Sequence, residues 1–312
     1  MLSGVRCLAA LVVLALATAC ATTRPPELAP VETLIADLKN AKGDVLVIGH
    51  RGCWQTAPEN SLAAIEACIR LGVDMVEVDV QRSRDGALVL MHDLSVDRTT
   101  DGKGAVTDLS AAQIAALRLR DGAGGAERPL TGQTVPTLRQ ALEAARGRVL
   151  VNIDAKADVY ADVSALLVEM QLGNQVLMKM PAAPDDPRLR ASPLMRQAHF
   201  MPVIVERAGH GPIADLLPGY DDMAPLAYEI VFENRSYFEA GIGAMRQSGR
   251  RVWVNTLRPF HAAGHTDAAA LADPDAHWGR LIAEGVTMIQ TDAPAELIAY
   301  LCRTKHRSRC PA

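Results

Sequence analysis

The sequence predicts an α/β fold: a TIM (β/α)8 barrel with a small insertion on its rim after the second strand. Two observations predict it. Short runs rich in Val, Ile, Leu and Met alternate with stretches of helical periodicity through the body of the chain, the pattern of successive βαβ units in a parallel sheet. Eight such runs can be counted, and their polar residues gather at the ends, where a barrel of this kind carries its working groups. In order, the strands are expected at Val45–Gly49, ending in His50 and Arg51; Asp74–Val80, with Glu77 and Asp79; Val149–Asp154; and Gln175–Met180, with Lys179. Met201–Glu206, Tyr228–Phe232 with Glu229, Arg251–Asn255, and Thr287–Thr291 followed by Asp292 complete the set. A further extended run, Ala87–His92, follows the second strand, and the glycine-rich stretch Asp101–Thr134 is the rim insertion. The barrel domain is placed at 44–301, after a leader and tether, and a tail follows at 302–312.

Composition is consistent with this reading. The chain has 312 residues, 49% hydrophobic and 22% charged, with 23 Gly and 18 Pro, which excludes a disordered, collagenous or coiled-coil protein. A length near 300 could hold two domains, but barrels of this type run to about 250 residues as one. A formal charge of −4, with no dense basic block outside Arg303–Arg309, argues against nucleic acid as a partner. Oligomeric state is not legible at this level.

The first residues read as an export signal. Arg6 precedes an apolar run from Cys7 to Ala17, shorter than the ~20 residues a membrane span needs. Leu16-Ala17-Thr18-Ala19-Cys20 resembles the bacterial lipobox, with Ala17 where Leu is commoner, so Cys20 is the expected lipidation site and residues 1–19 the cleaved signal. The segment Ala21–Pro30, with three Pro, then reads as an extended tether, leading to a first helix within 20–43. Ala21 rather than Asp after the Cys fits onward transfer to the outer membrane in a Gram-negative host, giving an exported lipoprotein held to the membrane by its lipid. Four further Cys would then meet an oxidising compartment. Cys302 and Cys310 are expected to bridge, since nothing else is seen to hold the polar tail; Cys53 and Cys68 are a second bridge or two free thiols.

Glu77 and Asp79 are two residues apart and share one face of their strand. Turned into a barrel, two carboxylates repel unless a cation lies between them. With Asp154 they would make an all-oxygen nest for a hard divalent ion, Ca²⁺ or Mg²⁺, and not zinc. The opposite orientation, with Val76, Val78 and Val80 inside, stays open, because both faces of a parallel sheet are covered. His50 and His92 end extended runs and suit general acid–base work. Arg51, Lys156 and Lys179 are cations of the kind that hold phosphate.

Gly49-His50-Arg51-Gly52, Ala57-Pro58-Glu59-Asn60-Ser61, Glu77-Val78-Asp79 and Leu90-Met91-His92-Asp93 together resemble the glycerophosphodiester phosphodiesterases, within the superfamily of phosphatidylinositol-phospholipase-C-like phosphodiesterases. The resemblance continues through Arg98-Thr99-Thr100-Asp101-Gly102-Lys103-Gly104, Val135-Pro136-Thr137-Leu138, Val151-Asn152-Ile153-Asp154-Ala155-Lys156 and Gln290-Thr291-Asp292-Ala293-Pro294. It is dense over about 44–156 and collinear to about 301. It implies hydrolysis of glycerophosphodiesters to sn-glycerol 3-phosphate and an alcohol, with Ca²⁺ or Mg²⁺ on Glu77, Asp79 and Asp154. His50 and His92 would be acid and base, Arg51 and Lys156 would hold phosphate, and Glu59 and Asn60 would support the metal site or orient His50. Asn60 or Ser61 has a plainer reading as a helix N-cap. Trp253 matches a late-strand aromatic that lines the substrate cleft, with a core residue as the alternative. One departure stands out: the third-strand acid, commonly Glu in this family, is Asp154. Two other readings compete, a phospholipase acting on lysophospholipid or sphingolipid head groups and a non-catalytic binding lipoprotein. The phospholipase reading calls for an apolar approach surface at the barrel mouth, for which Phe260 and the loop Pro259–Pro274 are the candidates; with His261 and His265, that loop is read instead as a lid over the cleft.

Overall fold

The computed structural model describes residues 30–192, 196–206 and 211–310. The signal segment, Cys20 and most of the tether lie outside the described residues. Eight parallel strands close on themselves: β1 (Leu46–Gly49), β2 (Met75–Arg82), β6 (Leu150–Ala155), β7 (Val176–Met180), β8 (His199–Val205), β9 (Ala227–Val231), β10 (Arg251–Asn255) and β11 (Met288–Thr291). Closure is made by β1, which pairs with both β11 and β2. Each expected strand is present, with ends shifted by a residue or two.

The short strand β3 (Leu88–Leu90) has a specific task. β1 pairs with β2 only as far as Val76, and β3 runs antiparallel along the upper end of β2, with Val80 opposite Leu90 and Arg82 opposite Leu88. The exposed edge of β2 is thereby covered, and the chain arrives at the rim at His92. The insertion that follows holds a 3₁₀ turn (Val106–Asp108), the helix α3 (Ala111–Ala115) and a hairpin of β4 (Arg118–Arg120) and β5 (Leu130–Thr134). Val89, Met91, Val96, Val106, Ile114, Leu119 and Val135 give it a small core of its own.

Inside the barrel, Leu46, Ile48, Met75, Leu150, Leu177, Met201, Ala227, Trp253 and Met288 pack together, and α1 (Val31–Lys39) adds Val31, Leu34 and Leu38 beneath them. Val76, Val78 and Val80 belong instead to the cluster that faces the surrounding helices. Alternation along β2 therefore turns Glu77 and Asp79 inward, which decides between the two orientations left open by the sequence.

The tail is held more firmly than its polarity suggests. Arg307, buried, forms an ion pair with fully buried Asp74, and Arg309 Nη2 reaches the other oxygen of Asp74 at 2.8 Å. Cys302 and Cys310 are bridged, as are Cys53 and Cys68. Arg251, fully buried at the start of β10, donates to the carbonyls of Asp37, Leu38, Asn40, Asp44 and Thr287. Backbone acceptors thus satisfy a guanidinium that has no room for water.

Candidate active site

His50 stands on the turn after β1, and that turn is built by close approach. A Cβ on Gly49 would lie 2.4 Å from Cys68 Sγ, so only glycine lets the strand end pass over the Cys53–Cys68 bridge. At Gly52, φ is +74° and a Cβ would meet that of Ala64 at 2.7 Å, in α2 (Leu62–Leu71). The Arg51 amide donates to Glu77 Oε2 at 2.9 Å, which ties the turn to β2. His50 Nδ1 bonds Asp292 Oδ1 at 2.8 Å, and Trp54 Nε1 donates to the same oxygen at 2.6 Å. Asp292 is fixed in turn, because its amide donates to Asp267 Oδ2 at 2.7 Å. Asp267, at the start of α9 (Asp267–Ala272), accepts from Thr256 and Thr291 hydroxyls at 2.5 and 2.8 Å. Burial pushes the Asp267 carboxyl up to about 6 against these donors.

His92 is held the same way from the other side. Its Nδ1 bonds Asp93 Oδ1 at 2.8 Å, and Arg98 grips both oxygens of Asp93, at 2.7 and 2.9 Å. That guanidinium keeps the Asp93 carboxyl well below the usual carboxylate range. Arg98 also donates to both oxygens of Glu59, at 2.8 and 2.9 Å, and Arg51 Nη1 does so at 3.0 and 3.1 Å. Glu59, 2% exposed, thus couples the two histidine loops through two arginines.

Between the histidines lies the carboxylate cluster. Asp79 and Asp154 are direct partners in the β2–β6 register, and Glu77 is two residues back on the same face. Ligand oxygens of Glu77, Asp79 and Asp154 all lie within 4.8 Å of one another. Asn60 serves Asp79 twice: Nδ2 donates to Oδ2 at 2.7 Å, and Oδ1 accepts the Asp79 amide at 3.0 Å. The helix cap is Ser61, whose hydroxyl accepts from the Ala64 amide at 3.0 Å. Lys156 Nζ is 3.1 Å from Asp79 and 2.9 Å from Asp154; Lys179 Nζ is 3.0 Å from Asp154.

Charge is unevenly shared here. Burial opposes the ionised form of Asp154, but Lys179 and Lys156 outweigh it and hold the carboxyl well below its ordinary range. Burial likewise opposes ionised Asp79, which Lys156 and Arg51 nevertheless keep low. Among the described residues no cation lies at contact distance from Glu77, and burial with Asp79 alongside pushes it up to about 7. A site of three oxygen ligands, two buried and one half-buried, that lacks about one positive charge fits a hard divalent cation.

One cavity of about 400 Å³ joins these groups, lined by His50, Arg51, Glu59, Glu77, Asp79, His92, Asp154, Lys156 and Lys179. Trp253 does not reach it. It is fully buried in the barrel core, with Nε1 donating to Asn255 Oδ1 at 2.7 Å. Arg251, Trp253 and Asn255 all face inward, and only the last of them stands high enough to open on the cavity. The aromatics at the wall are Trp54 and Phe260. His261 lines it too, whereas His265 turns away to His277, with the two Nδ1 atoms 3.2 Å apart. Glu206 is half-buried and accepts from the Asn234 and Glu233 amides, outside the lining of the cavity. Asp93, Arg98, Asp267 and Trp54 carry parts of the site to which no separate role was assigned from the sequence; Asp93 and Arg98 did fall within the motifs.

Two anchored imidazoles above a carboxylate nest ringed by cations define a (β/α)8 barrel suited to acid–base chemistry on an anionic ester beside a divalent ion. The family is specific: residues 50–296 match the glycerophosphoryl diester phosphodiesterase family, and the chain belongs to it. A glycerophosphodiester phosphodiesterase of Caldanaerobacter subterraneus is 41% identical over 115 residues, 36% of this chain and 46% of that one. The chain spans less than half the length of this relative and of a glycerophosphodiester phosphodiesterase 1 of Bos taurus, which is 40% identical over 129 residues, 39% of this chain and 37% of that one. Among solved structures, a glycerophosphodiester phosphodiesterase from Agrobacterium tumefaciens is similar over 80% of this chain and 97% of that one, with 25% identity and a TM-score of 0.61. A glycerophosphoryl diester phosphodiesterase from Parabacteroides distasonis shares the fold at TM-score 0.71 and 21% identity, over 90% of this chain and 94% of the other.

Proposed function

We propose that this protein hydrolyses glycerophosphodiesters to sn-glycerol 3-phosphate and an alcohol, with His50 and His92 as acid and base and a divalent cation, Ca²⁺ or Mg²⁺, on Glu77, Asp79 and Asp154. The observation that carries the reading is the paired anchoring of the histidines. Each imidazole is bonded at Nδ1 by a carboxylate, Asp292 or Asp93, so each keeps Nε2 for a reacting group in the shared cavity. One histidine takes the proton of the attacking oxygen, which is water or the neighbouring glycerol hydroxyl; in the second case the ester that forms is a cyclic phosphate, which water opens in a later step. The bond from phosphorus to the alcohol oxygen breaks, and the other histidine returns a proton to that oxygen. Bound cation supplies charge neutralisation on the phosphoryl oxygens. Arg51 adds a cation at the same wall, with its Nη1 held by Glu59 and its Nε 3.4 Å from Asp79 Oδ2. Lys156 stands at the same wall.

A second reading has one observation in its favour. Leu94, two residues past His92, is 75% exposed and Phe260 is 51% exposed, so the mouth carries apolar surface that a lysophospholipid could use. The test is release of glycerol 3-phosphate from glycerophosphocholine, beside lysophosphatidylcholine, with Mg²⁺, with Ca²⁺ and with EDTA, for wild type and His50→Ala. Release that needs the cation and His50 supports the first reading. Turnover of the lysolipid alone supports the second, and no turnover of either in folded protein contradicts both.

Export and anchoring through Cys20 are proposed with it. Support comes from the two disulfides, which persist in oxidising compartments. Labelled palmitate should enter the wild type and not Cys20→Ser.

A further inference from the structure

The mouth of the barrel has two chemically different arcs. β2, β6 and β7 bring the carboxylate cluster with Lys156 and Lys179. The opposite arc, β9 to β11, brings Glu229, Asn255 and Gln290, with His261 from the turn after β10. Strand register makes these neighbours, since Glu229 lies opposite Trp253, and Asn255 lies opposite Gln290. Asn255 is fixed in orientation, because its Oδ1 accepts from Trp253 Nε1 at 2.7 Å and its Nδ2 donates to Glu229 Oε1 at 2.8 Å. Gln290 Nε2 faces Glu77 Oε2 at 3.3 Å. These bonds leave Glu229 Oε2, Gln290 Oε1 and His261 Nδ1 as buried atoms with no hydrogen-bond partner among the described residues.

Buried polar atoms without partners are rare in native proteins and ask for a reason. Glu229 Oε2 and Gln290 Oε1 can only accept, so the arc suits a ligand that presents O–H or N–H donors. A cationic amine is disfavoured, because Lys179 Nζ already lies 3.7 Å from Glu229 Oε2 and would repel a second cation on the same oxygen. Neutral hydroxyl donors meet no such repulsion. Burial and nearby His50 push His261 down to about 4, so it stays neutral beside them.

We propose that Glu229, Gln290 and His261 form a hydroxyl subsite that receives the polyol half of the substrate. This rests on the glycerophosphodiester reading above. With the phosphate on the cationic arc and the polyol on β9 to β11, selectivity lies in the diol, and the departing alcohol is directed away from this wall.

The test compares two diesters under the same conditions with Mg²⁺: glycerophosphocholine, and bis(p-nitrophenyl) phosphate, which has no hydroxyl group. Glu229→Gln keeps an acceptor for Asn255 and removes the carboxylate oxygen. The ratio of kcat/KM, glycerophosphocholine over aryl diester, should fall at least tenfold in this variant. A ratio unchanged from wild type overturns the subsite. A second measurement needs no variant: glycerol 3-phosphate should inhibit wild-type cleavage of the aryl diester at least tenfold more tightly than ethyl phosphate, and equal inhibition overturns the proposal. Wild type that cleaves the aryl diester but not glycerophosphocholine overturns the substrate reading and the subsite with it. Selective wild type with an equally selective Glu229→Gln overturns the subsite alone.

Discussion

Asn60→Asp tests the geometry of the carboxylate cluster through stability alone. The substitution keeps an oxygen to accept the Asp79 amide, now at 3.0 Å, but sets a carboxylate oxygen 2.7 Å from Asp79 Oδ2 where Nδ2 now donates. Two buried like charges at that distance repel by several kcal/mol even at an effective dielectric constant near 20. The fold escapes by retaining a proton on the new carboxyl, which then donates as the amide did. The cost is therefore capped at that of protonating an ordinary Asp, with a reference pKa near 3.9, at the working pH: about 4 kcal/mol at pH 7 and about 1.5 kcal/mol at pH 5. The sign follows from linkage. The folded-state pKa of the new carboxyl is raised, so the folded protein binds the extra proton and the variant loses stability relative to wild type as pH rises above about 4. Urea denaturation of both proteins in EDTA at pH 5, 6 and 7 measures it. A destabilisation that is the same at pH 5 and pH 7, or below about 1 kcal/mol at pH 7, would refute the placement of Asn60 against Asp79.

Three further outcomes are expected. Glu77, raised to about 7 by burial and Asp79 in the absence of cation, must lose its proton to become a ligand, so Mg²⁺ affinity should rise from pH 6 to pH 8 and titration calorimetry at pH 6 should show proton release that depends on the buffer's ionisation heat. Asp292→Asn replaces a charge-assisted bond to His50 Nδ1 by a neutral one, worth about 1–2 kcal/mol, and should lower kcat roughly 5- to 30-fold with little change in KM; a raised KM at constant kcat would count against an orienting role. Arg307→Ala leaves buried Asp74 with Arg309 as its remaining cation and the Val47 amide as a donor, and should cost about 3 kcal/mol by urea denaturation, while kcat per folded molecule is kept, because this pair lies under the barrel and away from the cavity.

Much of this site was legible because its signals are local. Glu77 and Asp79 share a face by strand periodicity, and His50, His92 and Asp154 stand where strands end. What escaped depends on height within the barrel and on closure over long sequence distances. Trp253 and Asn255 face the same way, yet one is core and the other cavity wall, since strand register sets the level at which the packed layers give way to the mouth. Asp292 reaches His50 across 242 residues, and Arg98 reaches Glu59 across 39. Neither pairing has a spacing to read. Asp267 lies in a stretch read only as a lid, and its role follows from three hydrogen bonds that exist only after β10 and β11 have paired. The tail looked unsupported for the same reason, since Asp74, its buried partner, lies 233 residues before Arg307.

The most direct test is hydrolysis of glycerophosphocholine in ¹⁸O-labelled water, with the products separated and weighed by mass spectrometry. Attack at phosphorus with departure of the alcohol should put one ¹⁸O into glycerol 3-phosphate and none into choline, whether water attacks directly or opens a cyclic phosphate. EDTA should abolish the reaction. Label in choline, phosphocholine as the product, or full turnover in EDTA would contradict cation-dependent release of glycerol 3-phosphate by His50, His92 and the Glu77–Asp79–Asp154 cluster.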